Sequence, residues 1–190
     1  MKSIKLLIQR LNWLIVLVSL LPAGAAAEKT APSPLGFTVG QAALAEVKKG
    51  LAKKAEVLDA GLNHYTHGQM LEVKGEGLGM RRLKRARFVF DKDKRLVAVL
   101  MHLHKGAMQT GFDETYAHLA AKYQLVSKQV PFVGNREARF RQGDVSIILE
   151  SPHLGFEMSL VYMTRAFETQ FRSRSKADTR QEKSRERSNF

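Results

Sequence analysis

Four histidines are spaced in a way that could hold a metal ion. His102 and His104 stand two residues apart in the segment RLVAVLMHLH, so on a β-strand both imidazoles project from one face. His64 and His67 lie close together in the segment HYTH. Imidazole is a common ligand of Zn²⁺ and Cu²⁺, and convergence of the four would make a metal- or small-ligand-binding protein. The same strand face is otherwise aliphatic, which favours the alternative that His102 and His104 mark a partly hydrated strand end.

Signatures of catalysis are sparse. The sequence has no G-x-S-x-G, no H-E-x-x-H and no cysteine, so the usual hydrolase nucleophiles and metalloprotease ligands are missing. The segment GEGLG at 75–79 precedes an irregular lead into a strand rather than a helix, so it is a turn and not a phosphate-binding loop. The acidic residues stand singly. These patterns predict a protein that is not an enzyme and uses no cofactor.

Positive charge is concentrated in two segments of a chain whose formal net charge is +13. The first, MRRLKRAR, contains Arg81, Arg82, Arg85 and Arg87. The second, residues 172–190, has seven basic and three acidic residues and no apolar periodicity, so we expect a disordered basic tail. An anionic surface is a possible partner of this tail. Aromatic residues are not interleaved with the tail arginines, so we expect no nucleic acid partner.

A short loop could supply apolar anchors for a partner. Leu154 and Phe156 lie in SPHLGF, among residues typical of turns. Exposed aromatic side chains are frequent anchors in protein interfaces. With the arginines of the segment MRRLKRAR, they form the candidate partner-binding set.

The N-terminus has the layout of a signal peptide. Basic residues precede an apolar stretch at 11–21, which is shorter than the roughly 20 residues that span a bilayer. Cleavage is expected after Ala27 or, alternatively, after Ala25, making residues 1–27 the signal peptide and 28–34 a linker. We therefore expect a periplasmic protein, with an uncleaved N-terminal anchor in the inner membrane as the alternative. No later segment is apolar enough to cross a membrane, and the absence of cysteine excludes disulfides.

Apolar periodicity between residues 35 and 171 predicts helices followed by antiparallel strands. A first helix is expected to begin at Thr38, with Gln41 completing a capping box, and a second at Asp113. The segment KRARFVF alternates and is followed by the polar loop DKDK and a partner strand that is apolar on both faces, which is typical of a central strand. Pro131 indicates an edge strand.

The stretch GFTVGQAALAEVKKGL resembles the start of the small lipoproteins of outer-membrane assembly, the SmpA/OmlA or BamE-like group. A later stretch, GFDETYAHLAAKYQLV, partly repeats it, and two such units in tandem resemble the β-lactamase inhibitor protein architecture. The resemblance implies binding or assembly rather than catalysis. We expect an α+β domain at 35–171 with two tandem units, about 35–108 and 109–171, each a helix plus a three-to-four-stranded antiparallel sheet.

These observations favour a non-enzymatic exported binding module that acts on another envelope protein, as an assembly factor or as an inhibitor-like module. The alternative is a periplasmic metal- or small-ligand-binding protein that uses the clustered histidines.

Overall fold

The computed structural model describes residues 30–106 and 110–188. The predicted signal peptide, with both of its cleavage positions, lies outside these residues, as does the start of the predicted linker. The described part of that linker packs on the domain, because Pro32 and Pro34 are buried and Pro34–Gly36 forms one turn of 3₁₀ helix.

The described residues form one sheet and three α-helices. The strands are β1 (Val57–Leu62), β2 (Gln69–Lys74), β3 (Leu83–Phe90), β4 (Leu96–His104), β5 (Gln124–Gln129), β6 (Arg136–Gln142), β7 (Val145–Ser151) and β8 (Glu157–Thr164). The helices are α1 (Leu44–Ala52), α2 (Thr110–Ala120) and α3 (Arg165–Ser188). All eight strands are antiparallel to their neighbours, in the order β1-β2-β3-β4-β8-β7-β6-β5.

The prediction of two tandem units, each with its own sheet, is wrong. In chain order a helix precedes four strands twice, but β4 pairs with β8 over seven residue pairs, from Ala98↔Met163 to His104↔Glu157. This pairing joins the strands into one continuous eight-stranded sheet. The apolar residues on both faces of β4 explain the result, since a strand of that kind needs neighbours on both edges and cover on both faces.

The first face of the sheet carries the main core. The cross-strand pairs place Phe88, Val99, Tyr162, Ile147 and Phe140 in one row across five strands, and all five are buried. A single buried cluster contains this row together with four apolar residues of α1 and α2: Val47, Leu51, Phe112 and Leu119. Both helices therefore cover this face.

The predicted hairpin of β3 and β4 is confirmed, with its turn at Asp91–Lys94.

Helix α1 begins later than expected. The residues around Thr38 form only a single turn, in which the Ala42 N–H donates to the Thr38 carbonyl at 2.9 Å. Gly40 then adopts a φ of 85°, which interrupts the helix, and Ala43 forms a bridge with Arg95. The helix begins at Leu44, where Glu46 accepts a 3.4 Å hydrogen bond from the Ala43 N–H. Tertiary pairing with the β3–β4 hairpin therefore overrides the capping signal at Thr38.

The second face is covered by the C-terminal segment. The prediction of a disordered tail at 172–190 is wrong for its described part, since α3 continues to Ser188. Phe167 is buried against Val89, Ala98, Ile148 and Met163 of the second face. Two further contacts hold α3 over the β1–β2 turn, from Gln170 Nε2 to the Tyr65 carbonyl at 2.7 Å and from Arg174 Nη1 to the His64 carbonyl at 3.1 Å. The start of α3, residues 165–174, thus packs on the domain.

Both edge strands are irregular. The pairing of β1 with β2 shifts register between Asp59 and Leu62, and the pairing of β5 with β6 shifts between Leu125 and Ser127. Every residue of β5 is exposed, and Pro131 lies two residues beyond the end of the strand, so the prediction of an edge strand beside Pro131 is confirmed. Among the described helices, none combines the length and apolar character needed to span a bilayer.

We predict that Leu160→Ala lowers the free energy of unfolding by about 2–5 kcal/mol, because it leaves a cavity in the core at the β4–β8 junction. Leu154→Ala is the matched control, since this leucine is 82% exposed, and we expect a change within about 0.5 kcal/mol. Urea denaturation followed by circular dichroism measures both. Equal effects of the two substitutions would contradict the core assignment.

Candidate functional site

Two loops lie side by side at one end of the sheet. The β5–β6 loop covers residues 130–135 and the β7–β8 loop covers 152–156. Because Arg136 pairs with Ser151 at the ends of β6 and β7, the loops leave the sheet next to each other. Asn135 Oδ1 accepts a 2.7 Å hydrogen bond from the His153 backbone N–H and joins the loops directly.

The tips of these loops expose large apolar side chains. Phe132 is fully exposed, Phe156 is 89% exposed, and Leu154 and Val133 are also mostly in solvent. Side chains of this size are normally buried in a folded domain, and a contiguous exposed set marks an interaction site more often than a scatter of single residues does. The sequence predicted Leu154 and Phe156 as anchors, and the fold adds the two residues of the neighbouring loop.

A buried lysine holds the base of the β7–β8 loop. Lys105 follows β4 and is only 3% exposed. Its backbone N–H donates to the Phe156 carbonyl at 2.9 Å, and its ammonium group donates to the Pro152 carbonyl. Both ends of the loop are therefore tied to β4, which presents the exposed tip on a fixed base.

The predicted arginines divide into two pairs. Arg82 bonds Glu114 of α2 at 2.8 Å, and Arg87 bonds Glu72 of β2 at 2.6 Å, so their charges are balanced. Arg81 and Arg85 are exposed and form no ion pair with the residues that the structure describes. The start of β3 pairs with the end of β4, which in turn pairs with the start of β8. Arg81 and Arg85 therefore lie at the same end of the sheet as the apolar loops.

We name this set the loop-end surface: Arg81, Arg85, Phe132, Val133, Leu154 and Phe156. Four of its members come from the candidate residues identified in the sequence, and the fold brings them together from segments about seventy residues apart. Phe132 and Val133 were missed by sequence reasoning. Their signal was present in the segment VPFVGN, where these two apolar residues lie between the turn formers Pro131 and Gly134.

The four histidines do not come together. His64 and His67 lie in the β1–β2 turn, which Thr66 ties to the end of β3 by a 2.7 Å hydrogen bond from its hydroxyl to the Phe90 carbonyl. His102 and His104 lie at the opposite end of β4, six and eight residues beyond its start at Leu96, or roughly 20–26 Å at the usual strand rise. Among the described residues no group of three or more His, Cys, Asp and Glu is arranged to hold a metal ion.

His102 lies on the second face beside charged neighbours. Its Nδ1 is 3.8 Å from Glu157 Oε2, and Arg85 is its cross-strand neighbour on β3. Partial burial and then the charge of Arg85 lower the pKa of His102 below its ordinary value, and Glu157 opposes them. The imidazole therefore stays neutral down to a lower pH than that of an ordinary histidine, and in its neutral form it adds no positive charge beside Arg85.

Two carboxyl groups meet on the second face, but their arrangement does not suit hydrolysis. Glu137 and Glu150 are directly opposed on β6 and β7, and burial followed by the charge of Glu137 raises the pKa of Glu150. Glu137 is held by Arg139 through bonds of 2.6 and 2.9 Å. Carboxyl groups that cleave a glycosidic bond need about 5 Å or more between them to admit substrate. Here Glu150 stands directly opposite a carboxylate that Arg139 already engages, so the two groups do not form a free acid–base pair.

Arg85→Gln should raise the pKa of His102, because it removes the nearest cation that disfavours the imidazolium form. A pH titration of the His102 ring protons by NMR measures the shift, and Arg81→Gln is the control. In the native protein the lowered pKa means that the folded state binds fewer protons than the unfolded state. This contribution to stability is present above the ordinary pKa of 6.5 and is lost as the pH falls towards the folded pKa. An unchanged or lower pKa in Arg85→Gln would contradict the assignment.

Comparison of the chain with models of protein families, with curated proteins and with solved structures finds no match. The resemblance to the SmpA/OmlA or BamE-like group and to the β-lactamase inhibitor protein architecture is neither strengthened nor weakened by this result and stays a prediction.

Proposed function

We propose that this chain is a non-enzymatic exported binding module that acts on another envelope protein, as an assembly factor or as an inhibitor-like module, through the loop-end surface. The observation that carries the proposal is the set of large apolar side chains exposed at the tips of two loops that are hydrogen-bonded to each other. The periplasm is the proposed location, on the basis of the N-terminal signal layout.

The energetics of this surface favour a protein partner. Burial of apolar surface contributes roughly 25 cal/mol per Å², so four protruding side chains supply several kcal/mol if a partner encloses them. Side chains of this size suit insertion into pockets of the partner, and buried aromatic anchors carry much of the binding energy in protein interfaces. The end of the sheet and the Lys105 contacts hold the loops in place before a partner binds. This lowers the entropy that the loops lose on binding.

Charge selects among possible partners. Arg81 and Arg85 lie at the same end of the sheet as the apolar tips, and the whole chain carries a formal charge of +13. Positive groups at the rim of an interface raise the association rate with acidic surfaces more than they raise affinity. We therefore expect a partner with apolar pockets bordered by acidic residues. The histidine-based alternative receives no support, since His64 and His67 lie in the β1–β2 turn, at the opposite end of the sheet from His102 and His104.

A photo-crosslinking residue at position 154 tests the proposal. We predict that the purified full chain carrying benzoylphenylalanine in place of Leu154 forms a protein adduct of discrete mass when illuminated with native envelope. The matched control places the same residue at position 62, because Leu62 is 71% exposed but ends β1 at the opposite end of the sheet. It should give no such adduct.

A second change separates specific binding from exposure alone. Adding Phe132→Ser and Phe156→Ser to the chain labelled at position 154 should remove most of the adduct, because both aromatic anchors are lost. Circular dichroism confirms that the fold persists. Equal protein adducts from positions 62 and 154, or adducts from 154 to lipid only, would overturn the proposal.

A further inference from the structure

The second face of the sheet forms a groove beneath α3. Its volume is about 390 Å³, which falls within the range of small-molecule sites, roughly 300–1,000 Å³. The floor consists of aliphatic and thioether side chains from five strands: Met70, Val89, Leu100, Ile148, Val161 and Met163. Phe167 and Phe171 of α3 and Tyr65 of the β1–β2 turn form the wall, and Phe171 remains 40% exposed. The helix therefore covers this floor without filling the space above it.

The centre of the groove is a row of side chains that is apolar in the middle and cationic at both ends. Cross-strand pairing aligns Arg87, Leu100, Val161, Ile148 and Arg139 on β3, β4, β8, β7 and β6. At the usual strand spacing of about 4.8 Å, the path from Arg87 over the three aliphatic residues is about 14 Å long. A linear apolar chain lying across the strands would contact all three residues.

The two cationic ends are not equivalent. Near Arg139 the groove is bordered by Glu137, Glu150 and Glu168, which outnumber the arginines there. Near Arg87 the acidic residues are Glu72 and Glu157, whereas the cations are Arg87 itself, the exposed Arg85 and Lys84, so three cations meet two acids. The Arg87 end therefore has the excess of positive charge.

Arg87 retains bonding capacity for a ligand. Glu72 Oε2 accepts from its Nε at 3.0 Å and from its Nη2 at 2.6 Å, so the carboxylate occupies one edge of the guanidinium. Guanidinium has five N–H donors in a planar fork, and the outer edge that includes Nη1 faces no described acceptor. The side chain is 43% exposed. A carboxylate or phosphate can bond this outer edge in the bidentate manner that arginine favours.

We infer that the groove binds a single-chain amphiphile with an anionic head group, the head on Arg87 and the chain over Leu100, Val161 and Ile148. This site is separate from the loop-end surface and does not rest on the proposed protein partner. The shared chemistry is a linear hydrocarbon chain that ends in a carboxylate or a phosphate.

Calorimetry with the full chain tests this inference, using dodecanoate, dodecyl phosphate and dodecyltrimethylammonium below their micellar concentrations. We expect saturable binding of one or both anions at one site, at least 10-fold tighter than the cation. Binding of dodecanoate alone would identify a carboxylate ligand, and binding of dodecyl phosphate alone a phosphate ligand. No saturable binding of either anion, or equal binding of the cation, would overturn the inference.

Variants locate the site. Arg87→Gln should weaken anion binding about 10-fold and should not weaken binding of the cation, because it removes the positive charge that pairs with Glu72. The matched control is Arg141→Gln, because Arg141 is exposed on the same face but does not line the groove. Phe171→Ala removes part of the wall while Arg87 and Glu72 stay in place, so it gives a second test if Arg87→Gln fails to fold. Anion affinity unchanged in folded Arg87→Gln, or in Phe171→Ala, would also overturn the inference.

Discussion

The pairing of β4 with β8 is the interaction on which the rest of the structure depends. It places strands that are more than fifty residues apart in the chain next to each other and makes one sheet from two four-stranded halves. Its first face contributes Val99, Met101, Leu160 and Tyr162 to the main core, so the pairing and the packing of α1 and α2 stabilise each other. A separate sheet for each half would leave the edges of both strands, and their apolar side chains, in contact with water.

The two faces of the sheet differ in how completely helices cover them. This difference decides where the proposed binding sites can lie. Two helices close the first face, whereas one helix only partly closes the second. The loop ends carry exposed side chains that no described element covers, and their positions depend on the register of β6, β7 and β8. The two proposed sites, at the loop ends and beneath α3, therefore lie outside the main core on the first face.

Local patterns in the sequence predicted strands well but missed the start of α1 and the helix in the C-terminal segment. The alternation of Ala86 and Phe88 with Arg85 and Arg87 identified β3, and Pro131 identified the edge at β5. The pairing of β4 with β8, which joins the two halves, could not be predicted from local patterns. Strand partners that are distant in sequence leave no local signal, and the apolar pattern of β4 fits any buried neighbour. The same limit applied to the site: Leu154 and Phe156 were visible as exposed anchors, but Phe132 became their neighbour only through the register of β6 and β7.

The bulged edge strands have a consequence for how the molecule behaves among its own copies. An open sheet offers unpaired N–H and C=O groups at each margin, and a regular margin invites another chain to extend the ladder. Here the register slips in β1 and in β5 break the repeat that such an extension requires, and Pro131 removes a donor just beyond β5. Both irregular margins therefore disfavour extension of the sheet by a second copy of the chain.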